Sequence, residues 1–329
     1  MGALSRSTRA TPSHATSPVN AENALFHTVA AILVPNLVAW LLVLLAALWT
    51  SGPPWRRATG IGVALCAFLP PWFLPENEPL VRGVSALIAV IGAMRVLDLR
   101  RGAWRVRERL THVISVVDTR RLVRVPSRAD ARAVATGLVW LGLALVGYSF
   151  LRARPPAAPV AFWAARWGCA LVVVYAGVSA GYSFAHTGYA LLGFETGALH
   201  ISPALARSVQ ELWGERWARP ISIWLLETFF RPWARRRRPR TGALLAFAVS
   251  AAFHAYAIWV ALGLVRGLTM TGSMLAYFLV QALVIALERS VGVKRWPPWA
   301  GHAWTVSWML ATAPLFLEPS VRVLGVAAP

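Results

Sequence analysis

Long apolar runs separated by arginine-rich segments constrain this chain more than any other feature. A helix rises about 1.5 Å per residue, so about 20 apolar residues match the hydrocarbon core of a bilayer. Runs at 28–50, 58–74, 80–98, 133–151, 158–184, 242–265, 273–288 and 303–319 have that character. They predict an all-α integral membrane protein with about eight transmembrane helices plus interfacial amphipathic helices. The run at 58–74 is short and holds Pro70 and Pro71, which predicts a kink. The stretch 186–200 is apolar but brief, and reads as a re-entrant or interfacial piece. Residues 1 to about 25, rich in Ser, Thr, Ala and Pro, predict a disordered tail. They lack the compact apolar centre of a signal peptide. A single polytopic membrane domain is expected over 26–329.

Composition agrees with this reading. The chain is 57% hydrophobic and only 14% charged, against about 25% charged in an ordinary soluble domain. Its net charge of +20 comes almost wholly from arginines lying between apolar runs. There they set topology and attract anionic headgroups, so nucleic acid is not an expected partner and membrane lipid is. The positive loops carry Arg56 and Arg57, then Arg100, Arg101, Arg105, Arg107, Arg109, Arg120, Arg121, Arg124 and Arg128 in 99–132, the run Arg235–Arg238 with Arg240, and Arg289, Lys294 and Arg295. With eight spans they share one side, which the positive-inside rule makes cytoplasmic. Arg152, Arg154 and Arg266 then face outward. Heavy Ala, Arg and Val usage with one lysine suits a GC-rich genome and a bacterial inner membrane. Within 99–132, Trp104, Leu110, Val113, Ile114 and Val117 recur at helical spacing, predicting an amphipathic surface helix. Cys66 and Cys169 read as small buried hydrophobes with no disulfide. No two of the seven histidines are spaced as a metal pair, so neither metal nor bound cofactor is expected.

Chemistry concentrates between Ser208 and Trp259. His254 lies near the middle of an apolar run, where an ionisable group marks a functional position. Burial favours the neutral imidazole a general base needs. Ser250, four residues earlier, shares its helix face and either orients the ring or donates to a backbone carbonyl. Upstream, Trp213, Trp217, Trp224 and Trp233 interleave with Arg216, Arg219 and Arg231. Interfacial tryptophans beside phosphate-gripping arginines suit a phosphate-bearing, lipid-tailed substrate. His186 and His200 flank the brief apolar piece. With His112 and His302 they read as interfacial residues.

The segment Ser208-Val-Gln-Glu-Leu-Trp-Gly-Glu-Arg-Trp217 resembles the Ser-x-x-x-Phe-Trp-Gly-Arg-Arg-Trp signature of wax synthases, within the membrane-bound O-acyltransferase superfamily. The later Ser250-x-x-x-His254 is similar to that family's Ser-Gly-x-x-His pattern. The likeness is strongest over about 205–260. It implies acyl transfer from acyl-CoA, a co-substrate and not a cofactor, to a hydroxyl-bearing acceptor. His254 matches the family's catalytic histidine; Trp213, Arg216, Trp217, Arg219 and Ser250 are the expected substrate-binding residues. Leu212, Glu215 and Ala251 depart from the usual Phe, Arg and Gly. Ala218 stands where the family carries Asn or His, which leaves open a divergent mechanism, another acceptor or reduced activity. The adenosine phosphates are expected on Arg216 and Arg219 in preference to 235–238, a topology determinant. Two other readings stand beside the enzyme: a non-catalytic lipid-binding relative, and a transporter with His254 as proton relay. The transporter would want more ionisable groups inside spans than Arg95, Asp98 and Arg166 provide. Acyl length, acceptor and oligomeric state are not encoded legibly.

Overall fold

Prolines and glycines punctuate the chain into helices. The computed structural model describes residues 18–153 and 159–326, with side chains from 29 and 160 onward in the two stretches. The first six helices are α1 (Pro18–Trp49), α2 (Pro54–Cys66), α3 (Pro79–Asp98), α4 (Val106–Ile114), α5 (Ala131–Arg152) and α6 (Pro159–Leu191). A connecting region carries α7 (Val209–Glu211), α8 (Arg219–Leu225) and α9 (Arg231–Arg235). The chain then forms α10 (Pro239–Leu262), α11 (Leu264–Val291) and α12 (Pro298–Val323). Proline opens α2, α3, α10 and α12, where its missing N–H would have had no helical partner. Gly263 and Gly292, at φ of 79° and 72°, end α10 and α11. The tail expected over 1–25 lies mostly outside the described residues, since α1 begins at Pro18.

Among the described residues, six helices are long and apolar enough to cross a membrane: α1 over Val29–Trp49, α3 with its short extension to Arg101, α5, α6, α10 and α11. Their outer faces are those of a membrane protein. Leu33, Leu37, Leu41 and Leu45 form an exposed stripe along α1, and Leu279, Leu283 and Leu287 do so on α11. Such stripes suit lipid and not water. Two expected spans are not among the six. The 58–74 run breaks into α2, 13 residues long, and a 3₁₀ turn at Pro70–Phe73, because Pro70 and Pro71 cannot continue the ladder. The 303–319 run lies in α12, which is long enough but diluted by Trp, Thr and Ser and by His302 and Glu318.

Contacts nevertheless order all the helices between two ends. Arg109 on α4 donates to the Ala47 carbonyl near the end of α1 (3.2 Å). Arg95, near the end of α3, donates to the Val116 carbonyl just beyond α4 (2.8 Å). Gly92 meets α1 so closely that a Cβ there would lie 2.8 Å from Val43. α1 and α3 therefore run parallel, and the segment between them returns across the bundle as a broken helix. Tyr256 on α10 donates to the Phe68 carbonyl of that segment (2.6 Å). Glycine 301, at the start of α12, abuts the Arg207 carbonyl, whereas Tyr148 on α5 reaches the Leu324 carbonyl beyond its end (3.3 Å). One end of the bundle thus gathers residues 50–57, 99–132 and 192–240; the other gathers 70–83 and the ends of α5 and α12.

Several expectations change in detail. α4 has Val113 buried as predicted, with Trp104 and Val117 inside, but it packs on α1 and α3, and Arg109 is buried with them. Ile114 is exposed instead. The brief 186–200 stretch finishes α6 and then forms a two-residue strand, β2 (Phe194–Glu195), antiparallel to β1 (Val123–Arg124). Cys66 is exposed on the outer apolar surface, not buried, since α2 turns it outward; Cys169 is half-buried.

The ends are tied by ion pairs. Asp98 contacts Arg95 (3.2 Å), Arg101 (3.2 Å) and Arg120 (3.3 Å), with its side chain 1% exposed. Burial alone would raise the Asp118 carboxyl, but the hydrogen bonds from Arg120 outweigh it and hold it at about 2. At the other end Arg166 on α6 grips Glu318 on α12 through two nitrogens (2.9 and 3.1 Å). Removing one partner from a buried pair leaves charge uncompensated. Asp98→Asn is therefore expected to cost about 3 kcal/mol, read as lost unfolding free energy in mixed micelles. A loss below about 1 kcal/mol, typical of surface pairs, would show the cluster to be dispensable.

Candidate active site

α10 places His254 about 22 Å from the helix start at Pro239, taking 1.5 Å per residue. The ring Nδ1 lies 2.8 Å from the Ser250 carbonyl oxygen. A carbonyl only accepts, so Nδ1 carries the hydrogen and Nε2 keeps its lone pair. Of the two roles the sequence left open for Ser250, it meets the ring through its backbone carbonyl. Phe278 of α11 packs on the imidazole at 4.5 Å between centroids, and Phe316 of α12 lies at 6.2 Å.

The Trp/Arg loop comes to the same place. Ser208 caps α7, its hydroxyl accepting from the Glu211 N–H (2.9 Å). Glu288 of α11, buried at 4% exposure, accepts from the N–H groups of Val209 (2.6 Å) and Gln210 (3.0 Å) and from the Trp304 indole (3.0 Å). The backbone then widens into a π-helical turn, Leu212–Arg216, and a second one at Leu226–Phe230. Such turns recur at functional sites. The first drives Trp213 into the bundle, against Tyr277 and Phe278 at 6.1 and 6.0 Å. Trp213 and His254 therefore border the same phenylalanine. The Trp213 indole donates to Gln281 (3.3 Å), whose amide donates to Thr312 (2.9 Å).

Other expected residues have varied surroundings. Arg216 commits Nε to Glu211 (2.7 Å) and one terminal nitrogen to the carbonyls of Ile201 and Ser202 (3.1 and 3.2 Å). It fastens the loop to residues 201–202. Arg219 is half-buried and, among the described residues, its side chain reaches only the Glu215 carbonyl, at 3.4 Å. Trp217 stacks on His200 at 4.4 Å, and Tyr175 of α6 stacks on the other partner at 5.3 Å from His200.

His200 has more to do than its place in the sequence suggested. Ala218 adopts a left-handed backbone, φ 40°, and donates its N–H to His200 Nδ1 (3.0 Å). Nε2 then bears the hydrogen, buried and with no partner among the described residues. Nothing in the spacing foretells this contact. Gln281 and Glu288 were also missed, although two polar residues two turns apart in an apolar run are a readable signal.

No family model matches the chain, and no curated protein matches it significantly.

Burial lowers the His200 pKa from 6.5 to about 4. The unfolded chain therefore binds the extra proton first as pH falls, so stability rises with pH across this window. The contribution is complete above 6.5 and is lost progressively toward 4. His200→Asn keeps an acceptor for the Ala218 N–H and removes the titration. Melting of the parent should fall over this range relative to the variant; parallel curves would show that His200 is not held neutral by its surroundings.

Proposed function

We propose that this chain is a membrane-embedded O-acyltransferase, similar to wax synthases, that moves an acyl group from acyl-CoA to an alcohol. One observation carries the reading: a mid-membrane histidine has Nδ1 committed to a carbonyl and sits on the same phenylalanine as the loop tryptophan, Trp213. The two sequence blocks that resemble the family are 37 residues apart between Trp217 and His254, yet they meet across Phe278. The ordering of helices between two ends also supports eight membrane passes, with the broken segment 51–78 and α12 completing the six apolar helices. In that arrangement the arginine-rich end faces the cytoplasm of a bacterial inner membrane, where acyl-CoA is found.

The chemistry follows from the tautomer. His254 Nε2 takes the proton of the acceptor hydroxyl as its oxygen attacks the thioester carbonyl. The tetrahedral adduct collapses with cleavage of the carbon–sulfur bond. The coenzyme A sulfur leaves with the proton from the imidazolium, so that His254 returns to its starting state. The Trp213 indole N–H is already bound to Gln281, which leaves Trp217 and backbone amides as donors for the oxyanion.

Purified, detergent-solubilised protein should form esters from a panel of labelled acyl-CoAs, acetyl to palmitoyl, and mixed alcohols, detected by mass spectrometry. His254→Ala should lower the rate by about a hundredfold or more while eluting as the parent does on gel filtration. Equal turnover by both removes His254 from the mechanism. A folded parent that is silent across the panel rejects acyl transfer in favour of lipid binding without reaction.

A further inference from the structure

At the arginine-rich end, away from His254, a cavity of about 250 Å³ is lined by Arg101, Glu227, Arg231, Pro232 and Arg235. Three guanidinium groups face one carboxylate there. Glu227 holds Arg101 (3.2 Å), Arg231 (3.5 Å) and, from outside the cavity, Arg121. Arg101 is fixed further by Asp98 (3.2 Å) and by the Thr228 hydroxyl. The carboxylate is thereby saturated with cations, and it fixes where they point. Arg235 forms no hydrogen bond or ion pair among the described residues, and the Arg231 side chain is 60% exposed.

We propose that this cavity binds a phosphate group of a phosphorylated ligand. Arginine forks match phosphate oxygens in pairs, and the three guanidiniums exceed the single carboxylate by two charges, which suits a doubly charged anion. Glu227 restrains Arg101 and Arg231, which would otherwise repel each other, so less order remains to be imposed on binding. The neighbouring arginines 236–238 add a field that gathers anions at the mouth. A carboxylate ligand would use one fork and leave the excess charge unmet. As the seat of the phosphates of coenzyme A, the cavity rests on the acyl-transfer reading and would replace Arg216, whose donors serve the loop. As a phosphate site it stands without that reading.

Calorimetric titration of the detergent-solubilised full chain with inorganic pyrophosphate reads the site without turnover. Saturable binding is expected. Arg231→Gln with Arg235→Gln should weaken it by about tenfold or more, since both forks are lost. Arg237→Gln, in the same run but outside the cavity, should change it by less than about twofold, as screened charge at a distance does. Both substitution sites are exposed, and unchanged melting curves will show that the fold is kept. Competition with adenosine diphosphate and with dihexanoyl phosphatidylglycerol then identifies the source: displacement by the nucleotide supports a soluble ligand, and displacement by the lipid supports a headgroup. Absence of pyrophosphate binding, or equal weakening by Arg237→Gln and the double variant, overturns the proposal. Either result is separable from loss of ester formation in His254→Ala.

Discussion

Acidic groups are scarce in this chain, 13 against 33 basic residues, and several buried or half-buried carboxylates each serve more than one cation or donor. Asp98 meets three arginines, Glu227 three, and Glu318 two. In a low-dielectric interior an uncompensated charge costs several kcal/mol, so the positions of these few acids decide where arginine-rich segments can be brought together. The loops at one end are consequently not free connectors. The segment around Asp118 is tied to the end of α3, and Glu227 joins that cluster to the region leading into α10.

Glu288 serves backbone donors instead of arginines. It seats the start of the 208–217 loop on α11 and holds a tryptophan of α12, so three segments share one carboxylate. Two turns away along α11, Gln281 receives the Trp213 indole and bonds onward to α12. Between them these groups set how deeply the loop penetrates the bundle. Phe278, one turn from Gln281, then becomes the surface common to the loop and the histidine. The loop tryptophan beside Phe278 is thus held by polar groups that make no hydrogen bond to His254 among the described residues.

The apolar runs were legible because lipid imposes a length and a composition on any helix that faces it. That signal weakened where helices face each other: the proline-broken segment 51–78 and the tryptophan-rich α12 lie against neighbouring helices and do not reach the expected hydropathy. His254 was legible because an ionisable group stands out in an apolar run, and Trp213 and Trp217 because of their spacing. The bond from Ala218 to His200 was not, since it joins residues 18 apart in an irregular segment whose path depends on tertiary contacts. Arg216 shows the opposite case. Its residue type suggested a ligand-binding role, and Glu211 and two carbonyls already take up its Nε and Nη1. Composition cannot reveal which arginines are taken up within the fold.

The Arg166–Glu318 pair joins residues 152 apart. Chains grow at about 5–20 residues per second, so α6 waits on the order of ten seconds before the helix bearing its acidic partner is made. α12 in turn is the long helix least able to enter lipid on hydropathy alone. Its arrival both completes the ion pair and supplies Phe316 to the wall beside His254. The surroundings of His254 therefore become whole only when α12 docks against them.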